Sequence, residues 1–348
     1  MLILNKTDMR QAVGVAAVMD KVEDAYRVFA SGKFNMPERP VVTNGDNTIL
    51  YMPCFMDSFF GTKYLTLFPG NPQRGLPFIQ GLMLLGDADD GKTLAILDGS
   101  FITSLRTGAV GGVGIRCFSP DDASSVGIIG AGTQGFYQAL FACAARPISD
   151  IYLYDTADKD WLSYTKDLLA CLADSGVRGQ DTGDSSCELR EADASGSMPD
   201  IHICDRVEEL VRCSDIVITA TPATSPVIPD DPDLMRGKCF IAIGSFKPGM
   251  RELPDAVWQL VDHVYTELPF AMEESGDLSQ PLSDGLISEE QVRFIGDLLT
   301  ATPRPIPPPR GATTYFKSVG MGLLDLNVAQ LIYENALDMG IGTTVSLL

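Results

Sequence analysis

The order of apolar and polar positions changes near residue 119. Before that point, Val18, Val22, Ala25 and Phe29 recur at spacings of four, three and four, and Gly32 follows them. This period predicts an amphipathic helix that ends at the glycine. Apolar runs predict strands over residues 48–53, 61–68, 81–87 and 92–97. The last two runs flank Asp90 and Gly91, which indicates a hairpin, and a further helix is expected from about residue 102.

After residue 119 the chain alternates between apolar strands and helices. Strands are predicted over residues 124–129, 151–154, 215–219 and 240–244, with helices over 136–142 and 207–211. This alternation is typical of a doubly wound parallel sheet. A last helix, at about residues 323–337, is expected to pack back on the first domain, and the proline-rich residues 301–310 read as a crossing between domains. The polar residues 174–200 are interpreted as a surface excursion.

The fold class expected from this order is α/β. A Rossmann-type doubly wound domain is predicted over residues 119–315, together with a discontinuous α+β domain made of residues 1–118 and 316–348.

The net charge and the cysteine and histidine positions exclude several kinds of partner and site. The net charge of −20 argues against nucleic acid and anionic membranes as partners, and no apolar run has the length of a membrane span. The eight cysteines are scattered without a CxxC pair or a Cys/His cluster, so we expect a cytoplasmic protein without a metal site. His202 and His263 both flank predicted strands and are interpreted as structural, which leaves catalysis to Lys, Arg or a carboxylate.

A glycine-rich turn joins the strand over residues 124–129 to the following helix. The turn has the pattern GxGxxG, in which the first glycine makes the tight turn, the second lets a pyrophosphate approach, and the third lets the helix pack on the strand. Residues expected to bind the cofactor here are Gly130, Ala131, Gly132, Thr133, Gln134 and Gly135. The alternative is a strand–helix turn that binds no ligand.

An acidic residue lies twenty positions after Gly135, at the end of the next predicted strand. Asp155 there can accept hydrogen bonds from the ribose hydroxyls and repel a 2′-phosphate, which predicts NAD as cofactor. Lys159 lies four residues further on and could accept that phosphate, so NADP stays possible.

Several short motifs occur in one order along the whole chain, and together they resemble the ornithine cyclodeaminase/mu-crystallin family. The motifs are Gly61-Thr62-Lys63-Tyr64, Pro69-Gly70-Asn71-Pro72, Leu97-Asp98-Gly99, Thr103-Ser104-Leu105-Arg106-Thr107, the glycine-rich turn, Thr219-Ala220-Thr221-Pro222, Pro248-Gly249-Met250-Arg251-Glu252-Leu253, Lys317-Ser318-Val319-Gly320 and Asp325.

The resemblance implies NAD(P) in the Rossmann domain, a small amino or imino acid at the domain interface, and a homodimer formed through the other domain. It implies that Arg39, Lys63 and Arg106 hold the substrate carboxylate, with Lys63 and Arg106 as catalytic residues. Arg106 and Thr107 would also approach the cofactor phosphates. Asp155, Thr221 and Val319 would line the dinucleotide beside the glycine-rich turn. A guanidinium and a lysine on an apolar strand suit a carboxylate, although Arg39 and Arg106 could also be structural ion-pair residues.

One position departs from the cyclodeaminases of that family. Their loop after the strand at residues 240–244 carries an aspartate two residues before the Pro-Gly pair, whereas this chain has Phe246 there. The departure favours reduction of a cyclic ketimine, Δ1-pyrroline-2-carboxylate or Δ1-piperideine-2-carboxylate, to proline or pipecolate, with Phe246 against the substrate ring. Alternatives are ornithine or lysine cyclodeaminase, an amino-acid dehydrogenase of the same family, and a binding protein without catalysis.

Overall fold

The computed structural model describes residues 1–175, 198–303 and 306–346 of the chain, and most of the expected surface excursion at 174–200 lies outside them. The chain divides into two compact units. The first consists of Met1–Thr107, Gly296–Ala301 and Gly320–Leu348, and the second of Gly108–Ile295 and Thr302–Val319.

The secondary-structure elements are numbered here in chain order. The strands are β1 (Leu2–Leu4), β2 (Val41–Asn44), β3 (Asn47–Phe55), β4 (Phe59–Leu67), β5 (Ile79–Asp87), β6 (Thr93–Asp98), β7 (Ser125–Ile129), β8 (Asp150–Tyr154), β9 (Asp200–Ile203), β10 (Ile216–Thr219), β11 (Cys239–Ala242), β12 (Val264–Thr266), β13 (Val292–Phe294), β14 (Thr314–Lys317) and β15 (Thr343–Thr344). The helices are α1 (Lys6–Ala12), α2 (Val15–Ser31), α3 (Gly99–Phe118), α4 (Thr133–Ala145), α5 (Trp161–Asp174), α6 (Val207–Cys213), α7 (Pro232–Met235), α8 (Ala271–Glu274), α9 (Gly276–Ser283), α10 (Ile295–Thr300) and α11 (Gly322–Met339).

The first unit is built on a mixed sheet with the order β15-β1-β6-β5-β4-β3-β2. β2 to β6 form an antiparallel meander, and the predicted hairpin is the pair β5–β6. Helix α2 buries Val18, Val22 and Ala25 and ends at Gly32 in a left-handed conformation, as its spacing predicted. Helix α11 packs on α2, β3 and β4, which confirms that the end of the chain returns to the first unit.

The second unit contains an all-parallel sheet with the order β13-β12-β14-β11-β10-β7-β8-β9. From β7 the chain proceeds outward through β8 and β9 and then returns to the other side of β7 at β10. The strand order therefore reverses between β7 and β10, and ligands of open α/β sheets bind at the carboxyl ends of strands on either side of such a reversal. The α/β fold class is confirmed.

Helix α3 begins earlier than the sequence indicated. Its start at Gly99, rather than near residue 102, is fixed by Asp98, whose Oδ1 accepts a hydrogen bond of 2.9 Å from the amide N of Phe101. The helix runs across the division between the units, which falls between Thr107 and Gly108. The domain bounds expected from sequence, with changes at 118/119 and 315/316, stay a prediction.

Both histidines lie against tyrosine rings. His202 Nε2 lies 2.9 Å from Asp150 Oδ1, and its ring stacks on Tyr152 at 4.6 Å. His263 lies edge-on to Tyr265. No disulfide joins the cysteines that the structure describes. Among the described helices, none has both the length and the apolar character needed to cross a bilayer.

Candidate active site

A fully buried lysine lies at the centre of the first unit's sheet. Lys63 on β4 is paired in register with Met52 on β3 and Met83 on β5, and both methionines are buried. Burial lowers the pKa of Lys63 from 10.5 to about 8, and Asp325 opposes this shift. A charged ammonium inside an apolar sheet is costly, so its neighbours decide whether it stays charged.

Asp325 on α11 is the counterion of this lysine. Its Oδ2 lies 2.7 Å from Lys63 Nζ, and its Oδ1 accepts a hydrogen bond of 3.2 Å from Arg106 Nε on α3. All three residues are buried. The Lys63–Asp325 contact uses one of the three donors of the ammonium, and no further acceptor for it is found among the described residues. The other donors are therefore available to a ligand.

The cluster carries an excess of positive charge. The half-buried Arg39 is close enough that its charge contributes to lowering the pKa of Lys63, as does that of Arg106. Among the described side chains of this cluster, Asp325 contacts both Lys63 and Arg106, so a bound anion would compensate for the second positive charge. Thr107 follows Arg106 on α3 and is buried.

The guanidinium of Arg106 also depends on a glycine. Gly320 has φ +73°, and a Cβ there would lie 2.2 Å from Arg106 Nη1. Any side chain at this position would displace the guanidinium, so Gly320 is required for the observed arrangement.

The glycine-rich turn of the second unit has the geometry that its three glycines predict. Gly130 follows β7 and has φ +97°, which other residues rarely adopt. A Cβ on Gly132 would enter open space, and a Cβ on Gly135 would lie 2.2 Å from the Gly130 carbonyl oxygen. Gly132 is the N-cap residue of α4 and provides no side-chain cap, so the first-turn amides, from Thr133 on, are available for a phosphate. The turn therefore fits a dinucleotide.

Asp155 follows β8 beside this turn. Its Oδ1 accepts a hydrogen bond of 2.9 Å from the amide N of Ala157, and its Oδ2 lies 3.2 Å from Lys159 Nζ. Both side chains of the ion pair are mostly buried. The charge of Asp155 is thus partly neutralised by Lys159.

Thr221 follows β10, and both its amide and its hydroxyl donate hydrogen bonds to a carboxylate to which the sequence analysis assigned no role. Its amide N and its Oγ1 both donate to Glu252 Oε1, at 2.7 and 2.8 Å. A ligand at Thr221 would therefore meet its methyl group, its carbonyl or a hydroxyl lone pair, but no donor.

Val319 and Phe246 also lie in the second unit. The amide N of Val319 donates to Glu267 Oε2 at 2.9 Å. Phe246 lies in the loop after β11 with 39% of its surface exposed, and Lys247 Nζ lies 5.6 Å from its ring centroid. The predicted site residues thus form two sets, a basic cluster in the first unit and a dinucleotide turn with its flanking loops in the second.

Two functional features were missed or underrated from sequence. Asp325 entered only as part of a family motif, although a single carboxylate between Leu324 and Leu326 in an apolar helix start is a local signal of a buried counterion. Glu252 gave no comparable signal, because its partners are distant in sequence.

Comparisons with known proteins are in accord with this geometry. The model of the ornithine cyclodeaminase/mu-crystallin family matches residues 1–179 and 185–340. A Delta(1)-pyrroline-2-carboxylate reductase of Bacillus cereus is 29% identical over 353 residues, covering 99% of both chains.

Two solved structures are also similar. The Delta(1)-pyrroline-2-carboxylate reductase of Thermococcus litoralis, in complex with NADH and L-proline, superposes with a TM-score of 0.84 at 28% identity and covers 99% of this chain and 100% of that one. An archaeal alanine dehydrogenase dimer with bound NAD gives 0.82 at 28% identity, covering 100% and 99%.

Proposed function

Because this chain belongs to the ornithine cyclodeaminase/mu-crystallin family, we propose that it reduces a cyclic ketimine with a nicotinamide cofactor. The substrate is Δ1-pyrroline-2-carboxylate or Δ1-piperideine-2-carboxylate, and the product is proline or pipecolate. The observation that carries the proposal is the buried Lys63–Asp325–Arg106 cluster, whose excess positive charge suits a small carboxylate. The reductase structure that contains NADH and L-proline supports the same substrate class.

Each group of the cluster has a distinct task in this reaction. The terminal nitrogens of Arg106 and the ammonium of Lys63 hold the substrate carboxylate, and Arg39 adds a third charge. Asp325 orients Arg106 through Nε and keeps Lys63 charged. When bound, the cofactor supplies a hydride to the carbon beside the carboxylate. The imine nitrogen arrives protonated, so this addition yields the secondary amine and needs no further acid.

Phe246 favours this reaction over ornithine cyclodeamination. That sequence of oxidation, ring closure, ammonia loss and reduction requires several proton transfers, and a positioned base contributes about 10²–10⁴ in rate. Phe246 cannot act as a base, and its ring offers an apolar contact to substrate methylenes.

Phe246→Asp should raise the KM for the ketimine, because a carboxylate replaces the apolar contact. Steady-state kinetics with NADH measure this change. Phe270→Asp is the matched control, since Phe270 is an equally exposed phenylalanine of the same unit at 41%. Unchanged ketimine KM in Phe246→Asp would remove Phe246 from the substrate site.

The cofactor is NAD(H), with NADP(H) as the weaker alternative. The glycine-rich turn fits a dinucleotide, and both solved structures described above contain NADH or NAD. Asp155 would oppose a 2′-phosphate at short range, although its ion pair with Lys159 reduces that repulsion.

We expect kcat/KM to be higher with NADH than with NADPH, and Asp155→Ala to reverse or abolish the preference, because Lys159 then loses its partner and attracts the phosphate. The exposed Asp158 provides the control variant Asp158→Ala, which should keep the wild-type ratio. Equal or better kcat/KM with NADPH in the wild type would contradict this assignment of Asp155.

An alanine-dehydrogenase activity is the second candidate, since that archaeal enzyme is as similar to this chain as the reductase is. The same cluster would hold the carboxylate of a 2-oxo acid, but ammonia would be required to form the imine. NADH oxidation with pyruvate that depends on ammonium would favour this candidate.

The proposal includes a homodimer formed through the first unit. One face of its sheet is opposite to the face that carries the buried Met52 and Met83, and apolar side chains on this first face are exposed. Their exposed fractions are 38–49% for Tyr51, Phe55, Leu82 and Leu84. Tyr51, Tyr64 and Leu82 are aligned across three strands. An apolar patch of this kind is unusual on a monomer, and the alanine dehydrogenase structure is a dimer.

Light scattering should give twice the chain mass of 37.5 kDa. Leu82→Asp should shift the protein to a monomer, because a charge would be buried at the interface. A wild-type monomer at micromolar concentration would contradict the dimer.

A further inference from the structure

One buried carboxylate joins the loops that leave two neighbouring strands of the parallel sheet. Glu252 is fully buried and accepts four hydrogen bonds. Thr221, after β10, donates two of them to Oε1 from its amide N and Oγ1. The amides of Gly244 and Ser245, after β11, donate to Oε2 at 2.8 and 3.1 Å. Each oxygen thus faces two donors, which favours the ionised carboxylate.

The joined loops are packed against the glycine-rich turn. A Cβ on Gly130 would lie 2.7 Å from the carbonyl oxygen of Ala220 and 2.9 Å from Thr221 Cγ2. A Cβ on Gly244 would lie 2.2 Å from the carbonyl oxygen of Thr221. Glu252 therefore fixes a segment that touches the first glycine of the turn, and movement of Thr221 would be transmitted to that turn.

A buried ion pair, Asp277 and Lys317, contacts the backbone at Glu252. Asp277 Oδ1 accepts hydrogen bonds from the amides of Glu252 and Leu253 at 2.7 and 3.1 Å. Asp277 Oδ2 lies 3.4 Å from Lys317 Nζ at the end of β14, the strand next to β11. Asp277 and Lys317 are fully buried. The network thus links the carboxyl ends of β10, β11 and β14.

The cost of this network points to a role beyond holding the fold together. The pKa of the Glu252 carboxyl is raised above 4.5, because burial and the charge of Asp277 together outweigh the lowering by Lys317 and by the hydrogen bonds from Thr221. Two carboxylates and one ammonium without solvent are a poor source of stability, since apolar packing of similar volume is often as stable or more so. A costly polar network at the sheet edge where ligands bind is expected when the positions of the loops matter for a ligand.

We propose that Glu252 is a positioning residue for the dinucleotide, which acts through Thr221, Gly244 and Ser245 and is anchored by Asp277 and Lys317. The inference rests on the proposed function for the identity of the ligand. Its consequence is that NADH affinity, rather than fold stability alone, depends on the four hydrogen bonds to this carboxylate.

Glu252→Gln tests the role, because glutamine has nearly the same shape as glutamate. In either orientation of its amide, however, the NH2 group faces two groups that are themselves hydrogen-bond donors. The Kd for NADH, measured from its fluorescence without any imine, should rise about 10- to 100-fold, as expected for lost charge-assisted hydrogen bonds. The KM for NADH should rise more than kcat falls. Thr221→Val, which removes one of the four bonds, should give a smaller rise and covers the case in which Glu252→Gln does not fold.

Asp215→Asn is the matched control. Asp215 Oδ2 accepts hydrogen bonds from the amides of Ser124 and Ser125 at 2.9 and 3.3 Å. These bonds lie at the amino ends of β7 and β10, opposite to the carboxyl ends that Glu252 joins. It should lower the melting temperature without changing the Kd for NADH.

A wild-type Kd for NADH in folded Glu252→Gln, or in Thr221→Val if the first variant does not fold, would overturn the inference, as would an equal rise of the Kd in Asp215→Asn. Wild-type protein that does not bind NADH would overturn it as well. If NADH binds and responds to Glu252→Gln as stated while no imine is reduced, the proposed reaction fails and the positioning role of Glu252 stands.

Discussion

Arg106→Ala should lower kcat/KM for imine reduction about 30- to 5,000-fold, the factor that corresponds to about 2–5 kcal/mol for a truncated partner of a buried charge pair. The variant loses the guanidinium that would bind the substrate carboxylate, and it also removes one of the two cations that contact Asp325, leaving its ion pair with Lys63. Steady-state kinetics with NADH and the ketimine measure the effect.

Arg39→Ala should mainly raise the KM, because Arg39 adds charge near Lys63 from a half-buried position. Arg236→Ala is the control, since the Arg236 side chain is 63% exposed and its Nη2 lies 3.8 Å from Asp233 Oδ1. Near-normal kinetics in folded Arg106→Ala and Arg39→Ala would place the carboxylate site elsewhere.

The rate should decline as the pH rises through about 8, the pKa of Lys63. Below that pH the ammonium is charged and holds the substrate carboxylate. Above it the neutral amine dominates, so kcat/KM falls about tenfold for each pH unit, as expected for loss of one proton from the enzyme. A pH profile of kcat/KM measures the break.

Asp325→Asn identifies the group responsible for the break. Burial is the main cause of the lowered pKa of Lys63, and Asp325 is the charge that raises it. The variant should therefore move the break to lower pH. Titration of the imine itself is the same for both proteins, so only the difference between the profiles is assigned to the enzyme. A break at the same pH in both proteins would show that Lys63 is not the titrating group.

Local pattern was sufficient for the dinucleotide turn. Gly130 has a positive φ and Gly135 has no room for a Cβ, as the turn pattern predicts, while the space beside Gly132 is open, which is compatible with the approach of a pyrophosphate. The sequence also placed Lys63 on an apolar strand. Its burial against Met52 and Met83 depends on strand register, which a single sequence specifies only through its alternation.

Tertiary partners were not predictable in the same way. Asp325 is separated from Arg106 by 219 positions, and Glu252 from Thr221 by 31. Thr221 was predicted to line the dinucleotide, and that role stays a prediction. The commitment of both its donors to Glu252 is a property of the packed loops, and no local spacing indicates it.

The most direct test of the proposed reaction is one paired assay on the purified protein. NADH oxidation is followed with Δ1-pyrroline-2-carboxylate and with Δ1-piperideine-2-carboxylate, and ammonia release is followed from ornithine with NAD. We predict rapid NADH oxidation with at least one of the two imines and slow or absent release of ammonia. Conversion of ornithine to proline and ammonia at a rate comparable with imine reduction would contradict ketimine reduction as the function of this protein.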